Sequence, residues 1–197
     1  MGREQSYKVR IISGEPEFDA MPVAKVIDYP LEQRDYRPFA QNVICIGARD
    51  IYVRMWAFEA APARTSELRG VFYLYKDKPL TALHIRLVIE AESSALPRCA
   101  VFREEGGAAD PVTGFELRGH SGEDLQGIYW GGTVRLPFAA LGGKDRLITS
   151  AGEHFPGNFY KLCQDDKMPH YGCFFPADFK ADPYARESMG DFEIVAY

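Results

Sequence analysis

A segment in the first third of the chain alternates so regularly that it predicts a long β-strand with two different faces. One set of alternate positions is purely apolar: Ile51, Val53, Met55 and Ala57. The positions between them hold Tyr52, Arg54, Trp56 and Phe58. Because successive side chains of a strand point to opposite faces, the apolar set is expected to face a core. The other set is either a second packing surface or a platform that contacts a ligand.

The remaining apolar runs are short, and turn residues separate them. Strands are predicted at residues 7–12, 23–27, 42–46, 51–59, 71–75, 82–90, 98–102, 127–136 and 192–196. Residues 47–50 predict a hairpin turn, and residues 138–141 before Gly142 predict one short helical turn. Many strands with few helical patterns favour an antiparallel β-sandwich over alternating strands and helices. We therefore expect an all-β fold, with one sandwich domain over residues 1–197, long loops, and an irregular surface segment at 91–126.

Composition and charge exclude several classes of protein. Of the 197 residues, 46% are hydrophobic and 26% are charged, which is typical of a globular domain rather than a disordered chain. The net charge is -5 and no dense block of Lys and Arg occurs, so neither nucleic acid nor a membrane is an expected partner. No apolar stretch follows the N-terminus as in a signal peptide. The expected localisation is cytoplasmic, or extracellular if a signal has been removed, and the oligomeric state is left open.

The C-terminal third contains the densest set of aromatic and hydrogen-bonding groups. Residues 157–161 read Gly-Asn-Phe-Tyr-Lys. Sugars pack their C–H groups on aromatic rings, and their hydroxyls pair with amides and charged groups. In a strand, Asn158 and Tyr160 would share a face on which they could bind such a ligand. The alternative is a sheet edge at which Phe159 packs in the core, Asn158 holds a loop and Lys161 is solvated.

These residues also carry a resemblance to a known family. Residues 157–161, a short acidic loop, the Pro-His-Tyr-Gly run at 169–172 and a closing acidic and aromatic strand resemble the C-terminal part of family-9-like carbohydrate-binding modules. Those modules are relatives of the DOMON-type β-sandwiches. Residues 36–38, the strand that ends at Glu59 and residues 129–138 resemble other parts of the family pattern. The resemblance implies a β-sandwich that recognises carbohydrate without catalysing a reaction.

The candidate ligand-binding residues combine stacking surfaces with hydrogen-bonding groups. Stacking is assigned to Trp56, Trp130 or Tyr160, and hydrogen bonds to Arg54, Glu59, Asn158, Lys161 and His170. One tryptophan is expected to face the ligand and the other to pack in the core. Gly131 and Gly132 favour an accessible ring at Trp130, because they remove side chains beside it. The alternative for Arg54 and Glu59 is a cross-strand salt bridge on a solvated face.

Two alternatives from other functional classes remain. Residues 70–75 stand where many family members carry an acidic strand, so a binding carboxylate is missing, as in an interaction module that has lost its ligand site. Such a module predicts that Trp56 and Trp130 are both buried and that no aromatic cleft is open. A small carbohydrate-active enzyme predicts His170 or a carboxylate with a shifted pKa beside Asn158. No complete catalytic motif is present in the sequence.

The cysteines and acidic residues suggest no resident cofactor. The four cysteines, none in a C-x-x-C pair, are Cys45, Cys99, Cys163 and Cys173. Free thiols are expected without an export signal, and a bridge between Cys163 and Cys173 is the alternative for a secreted chain. A zinc site is not expected, because the spacing of His154, Cys163, His170 and Cys173 is loose. Oxygen donors at 164–166 and Asp182 leave structural calcium as an alternative, although no calcium-loop pattern is present.

Overall fold

The fold consists of β-strands joined by turns and loops. The computed structural model describes residues 6–90 and 96–196. Within these ranges the helical elements are four short 3-10 turns, at Phe18–Ala20, Phe138–Leu141, Lys144–Arg146 and Arg186–Ser188. The strands are β1 Tyr7–Ile11, β2 Ala24–Val26, β3 Phe39–Ile46, β4 Asp50–Glu59, β5 Glu67–Phe72, β6 Ala82–Val88, β7 Arg98–Glu105, β8 Ala108–Pro111, β9 Glu116–Asp124, β10 Gly127–Pro137, β11 His154–Cys163, β12 His170–Cys173 and β13 Gly190–Val195.

The strands form one curled sheet. Hydrogen-bonded neighbours follow the order β8-β7-β6-β5-β11-β13-β1-β3-β4-β10-β9, while β12 pairs with β11 and β2 pairs with β3. Most pairs are antiparallel, but β1 runs parallel to both β13 and β3. The prediction of an all-β fold is confirmed, and the sheet is mixed. The strand pattern does not reveal the parallel pairs, because they join strands that are distant in sequence or separated by a crossover.

One large apolar core lies inside the curl. It joins Leu68, Phe72 and Phe159 of β5 and β11 to Val53 and Met55 of β4 in a single cluster. The two halves of the sheet path therefore face each other across this core, as the layers of a sandwich do. The inward set predicted for β4 is confirmed, because all four of its alternate apolar residues are essentially inaccessible to solvent.

Two of the predicted turns are confirmed by backbone hydrogen bonds. The Gly47 N–H donates to the Asp50 carbonyl oxygen at 2.8 Å, which closes the hairpin between β3 and β4. The 3-10 turn at Phe138–Leu141 ends at Gly142, whose φ of 94° is left-handed. A residue with a Cβ adopts this conformation only at an energetic cost, so glycine is the favoured stop.

The expectation of an irregular segment at 91–126 is wrong for most of its length. Strand β7 continues to Glu105, β8 follows it as a hairpin, and β9 pairs with β10 over nine positions. Strand β9 is the last strand of the sheet path and is largely exposed, so it lacks the apolar alternation that marks a half-buried strand. Residues 91–95, which belong to the same expectation, lie outside the described residues.

The cysteines bear on the expectation of free thiols. All four cysteines are free, and burial raises the pKa of the Cys45 and Cys173 thiols to about 12, so both stay protonated and unreactive.

Among the residues that the structure describes, no group of three His, Cys, Asp or Glu side chains could hold a metal ion. In the same part of the chain, no helix has the length and apolarity that crossing a membrane requires.

Candidate functional site

The eight predicted site residues fall into three separate places. Arg54 and Trp56 lie on the outer face of β4, where both are partly exposed. The interior contains Glu59, Trp130, Lys161 and His170, and the space beneath the C-terminal loop contains Asn158 and Tyr160. The structure therefore does not bring the eight together around one ligand. Their ligand-binding role remains a prediction, and their positions decide which of them can reach solvent.

An open aromatic groove crosses the outer face of β3, β4, β10 and β9. The groove encloses about 520 Å³ and is lined by Phe39, Arg54, Trp56, Phe58, His120 and Tyr129, which we call the aromatic platform. Phe39 and Tyr129 are 39% and 42% exposed, which is unusual for aromatic side chains with this much apolar surface. An exposed, contiguous apolar patch commonly marks an interaction site.

The strand register arranges these rings in two rows across the sheet. Phe39 on β3 lies opposite Phe58 on β4, and Phe58 lies opposite Tyr129 on β10. In the next row, Trp56 and His120 lie on either side of Gly131. Since neighbouring strands lie about 4.8 Å apart, the first row spans roughly 10 Å from β3 to β10. The rings thus form a continuous surface rather than isolated contacts.

Two glycines leave space for the rings of this surface. A Cβ at Gly122 would overlap the Tyr129 ring, so that ring rests against bare backbone. A Cβ at Gly131 would overlap the Met55 carbonyl oxygen beside Trp56, so no larger residue fits there. The expectation that the glycines leave the Trp130 ring accessible is wrong, because Trp130 is fully buried. Position 131 lies on the face opposite to Trp130, so the missing side chain leaves space beside Trp56 instead.

Polar groups line one side of the platform. The Arg54 Nη1 donates to Asp19 Oδ1 at 3.1 Å, and the Asp19 side chain is 98% exposed, so this ion pair contributes little stability. The predicted alternative of a pair between Arg54 and Glu59 does not form, because Glu59 lies on the core face. Burial and the charge of Arg54 lower the pKa of His120, which is therefore neutral at pH 7. A neutral imidazole offers one donor and one acceptor.

The four interior residues form a closed network, which we call the buried polar cluster. The Lys161 Nζ lies 3.0 Å from Glu59 Oε1, 2.9 Å from His170 Nε2 and 3.1 Å from the Leu162 carbonyl oxygen. Each of the three ammonium hydrogens therefore has an acceptor. The alternative in which Lys161 is solvated is wrong, since its side chain is fully buried.

The carboxylate of Glu59 has several hydrogen-bond donors around it. Its Oε1 also accepts a hydrogen bond from the Trp130 Nε1 at 2.8 Å, and its Oε2 accepts one from the Ser66 Oγ at 3.1 Å. Trp130 is 0% exposed and Glu59 is 2% exposed. A buried network in which each member has partners makes the packing rigid and specific, and it leaves few groups free to bind a ligand.

His170 completes this cluster as a neutral ring. Its Nδ1 lies 3.0 Å from the Met168 carbonyl oxygen, which can only accept, so Nδ1 carries the hydrogen and Nε2 accepts from Lys161. Burial and the charge of Lys161 lower the pKa of His170 to about 4. A small pocket of about 270 Å³ at residues 31–34 reaches the edge of the ring, which is itself 2% exposed. The enzyme alternative predicts such a shifted pKa beside Asn158, but His170 lies opposite Cys163 in the buried polar cluster, and both of its ring nitrogens are bonded within the protein.

Asn158 and Tyr160 hold the C-terminal loop against the sheet. The Asn158 Nδ2 donates to the Phe175 carbonyl oxygen and its Oδ1 accepts from the Phe175 N–H, each at 2.9 Å. The Tyr160 hydroxyl donates to the Pro183 carbonyl oxygen at 2.6 Å. Both residues are 0% exposed, and Phe159 between them lies in the core. The alternative in which Asn158 holds a loop thus describes this segment, although β11 lies inside the sheet rather than at its edge.

Four platform residues were not among the predicted site residues: Phe39, Phe58, His120 and Tyr129. Phe58 could have been included, because it shares the alternation of Trp56 in β4. The sequence also indicated Tyr129, since it directly precedes Trp130 and must therefore face the opposite side of β10. No sequence pattern indicated His120, because it lies in β9, a strand that the sequence did not predict.

Comparison with known proteins finds similar chains by structure alone. No protein-family model matches the chain, and no curated protein matches it. A solved structure described as a "putative carbohydrate-binding protein" from Bacteroides uniformis superposes with a TM-score of 0.71 at 14% identity. That match covers 96% of this chain and 99% of the other.

Two further similar structures are family 9 carbohydrate-binding modules. A family 9 carbohydrate-binding module from Caldicellulosiruptor kristjanssonii, in complex with cellotriose, matches with a TM-score of 0.56 at 8% identity and covers 96% of this chain and 94% of its own. A family 9 module from the same organism, in complex with glucose, matches with a TM-score of 0.50 at 10% identity over 96% of each chain. The chain therefore has the fold of a family-9-like carbohydrate-binding module.

Proposed function

We propose that this protein is a non-catalytic carbohydrate-binding module and that its ligand stacks on the aromatic platform. The observation that carries the proposal is the open row of rings on the outer face of β3, β4 and β10, with Arg54 and His120 beside it. Pyranose rings pack their C–H faces on such rings, while their hydroxyls take hydrogen bonds from groups at the side.

The structural neighbours support the same class of ligand. Two of them, matched over nearly the whole chain, are modules in complex with cellotriose and with glucose. The proposal does not need the buried polar cluster as a ligand site, because its groups are bonded to each other. A shallow site of this kind is expected to bind weakly, since much of a small polar ligand stays wet.

A fluorescence titration with a panel of monosaccharides and oligosaccharides tests the proposal. Trp56 lies at the platform and Trp130 is enclosed, so a bound sugar should shift the emission of Trp56 alone. The shift should saturate, and calorimetry should find binding weakened by at least about tenfold in Trp56→Ala and preserved in Tyr171→Ala. Tyr171 is a matched control, because it is a half-buried aromatic residue on β12, outside the platform. A flat response from folded protein at millimolar sugar would contradict the proposal.

A second candidate function is an interaction module without a sugar site. The stretch at residues 70–75 favours it, because these side chains are apolar or aromatic and buried, and they offer no carboxylate to a ligand. The signature expected for this class has both tryptophans buried, whereas Trp56 lines an open groove. Carbohydrate binding is therefore the better supported of the two proposals.

A further inference from the structure

We infer that residues 176–189 of the C-terminal loop are a latch that acid releases: the covered, neutral ring of His84 keeps the latch closed near neutral pH, and protonation of that ring opens it while the sheet stays folded. The latch lies between β12 and β13. It shares no residue with the aromatic platform, so the inference does not depend on the proposed function.

The latch is attached to the sheet through side chains. Over the described residues, its backbone-to-backbone hydrogen bonds join latch residues to one another. The Tyr160 hydroxyl donates to the Pro183 carbonyl oxygen at 2.6 Å, and the Tyr73 hydroxyl donates to the Tyr184 carbonyl oxygen at 2.9 Å. A segment held by few such contacts opens locally at a smaller free-energy cost than global unfolding.

The latch covers a small apolar cluster that is separate from the main core. Phe179, Tyr184 and Met189 of the latch pack against this cluster, which includes Val71 of β5 and Leu162 of β11. Among the described residues, the buried members of this cluster are not members of the main core. Opening of the latch therefore uncovers the small cluster and leaves the main core intact.

The ring of His84, on β6, lies against the latch. It stacks on Phe102 of β7 with 4.7 Å between ring centroids, and Tyr184 of the latch meets it edge-on with 5.7 Å between centroids. His84 is 1% exposed, and its Nδ1 is buried without a hydrogen-bond partner among the described residues. Because Tyr184 covers the ring, opening of the latch brings water to it.

The surroundings of His84 oppose its protonation. Burial lowers its pKa to about 3, and the guanidinium groups of Arg69 on β5 and Arg86 on β6 act in the same direction. Two carboxylates act in the opposite direction. Glu67 is already paired with both arginines, and the Glu104 Oε2 lies 3.7 Å from the His84 Nε2 on a side chain that is 41% exposed.

This difference between the covered and the exposed ring links the latch to pH. The pKa of His84 is lowered in the closed state, whereas an exposed histidine has an ordinary pKa of about 6.5. The closed state is therefore fully favoured above pH 6.5 and loses stability as the pH falls toward 3. Each pH unit within this range shifts the equilibrium toward the open latch by up to about tenfold.

Hydrogen exchange between pH 7 and pH 4, read by mass spectrometry, tests the inference. Exchange of the latch amides, corrected for the intrinsic rate at each pH, should accelerate by up to about tenfold per pH unit below pH 6.5, while the amides of β4 stay protected. His84→Phe keeps an aromatic ring against Phe102 and Tyr184 but does not titrate, so the latch should lose most of this dependence. His170→Asn is the matched control and should retain it.

Two results of this experiment would overturn the inference. One is a latch whose exchange depends on pH as strongly in His84→Phe as in the wild type. The other is a latch that gains exchange only together with β4, because the whole fold is then what opens.

Tyr184→Ala gives an independent check that does not require a substitution at His84. Loss of the covering ring should raise the pKa of His84 toward 6.5, whereas the wild-type ring should stay neutral down to about pH 4. Titration of the His84 ring protons by NMR measures both values. The same pKa in the two proteins would mean that the latch does not control the ring, and the inference would fail.

Discussion

Strands β4 and β10 present opposite chemistries on their two faces. On the outer face, Trp56 and Tyr129 belong to the open aromatic platform, and on the inner face Glu59 and Trp130 belong to the buried polar cluster. Tyr129 and Trp130 are adjacent in sequence, yet one is 42% exposed and the other is 0% exposed. Whether an aromatic residue in these strands is exposed or buried therefore depends on its parity along the strand.

The two regions also differ in how they relate to stability. The buried polar cluster takes charges out of water, which is favourable only because their hydrogen bonds are made within the protein. The aromatic platform leaves apolar surface in water that folding could otherwise have buried. This contrast predicts that substitutions in the cluster change stability, whereas substitutions on the platform change binding.

The largest expected effect is the loss of one charge from the buried polar cluster. Lys161→Met should lower the free energy of unfolding by about 3–5 kcal/mol, because the Glu59 carboxylate loses its buried cation. Urea unfolding measures this change. The double variant Glu59→Gln/Lys161→Met should recover much of the loss, since no unpaired charge remains. A loss below about 1 kcal/mol in the single variant would show that the pair is not coupled as the geometry indicates.

The next effect is a fall in stability at mildly acidic pH. His170 has a pKa of about 4 in the folded protein, whereas its ordinary pKa is 6.5. Between these pH values the unfolded chain binds a proton that the folded protein does not bind. The stability that the neutral His170 ring provides is therefore fully present above pH 6.5. The free energy of unfolding falls by about 3 kcal/mol as the pH falls from there toward 4. The pKa of His84, lowered to about 3 by burial, adds to the loss over the same range.

Urea unfolding at several pH values measures this dependence. His170→Asn keeps a donor for the Met168 carbonyl oxygen and removes the titrating ring, so its curve should be flatter between pH 6.5 and 4. An unchanged slope in this variant would mean that His170 is not the group responsible.

A smaller effect on the other face should appear in binding alone. Trp56→Ala should weaken oligosaccharide binding by at least about tenfold, or roughly 1.4 kcal/mol, through loss of the stacking surface. Its free energy of unfolding should change by less than about 1 kcal/mol, because the ring is partly exposed and lies outside the main core cluster. Calorimetry and urea unfolding measure the two quantities.

Trp130→Phe is the matched variant on the inner face. It removes the hydrogen bond to Glu59 and should reduce stability by about 1–3 kcal/mol with unchanged affinity. If Trp56→Ala altered only stability and Trp130→Phe only affinity, the assignment of the two faces would be reversed.

The smallest expected effect is the loss of one hydroxyl from the platform. Tyr129→Phe keeps the ring that a sugar stacks on, so affinity should stay within about twofold of the wild type, whereas Tyr129→Ala should weaken it by about tenfold. A titration with the same oligosaccharide compares the two variants. A Tyr129→Phe variant as weak as Tyr129→Ala would mean that hydrogen bonding outweighs stacking.

The C-terminal motif shows where sequence reasoning stops. The sequence predicts that its amide and phenol make hydrogen bonds to a ligand, but in the structure Asn158 and Tyr160 bond to the backbone of the C-terminal loop. The groups that recognise a sugar hydroxyl also recognise a peptide, so residue type alone does not distinguish the two roles. Strand β9 was not predicted for a different reason. An exposed edge strand needs no apolar alternation, so its sequence carries no strand pattern.

The sequence by itself determined the class of fold and the two faces of β4, since period-2 alternation is a local property of the backbone. It also pointed to Arg54 and Trp56 as candidate ligand-facing residues. Only the tertiary structure decided that Glu59, Lys161, His170 and Trp130 meet inside the protein, and that Phe39, Phe58 and Tyr129 form one row. Both arrangements depend on strand pairings across long sequence distances and on the curl of the sheet, which no local pattern encodes.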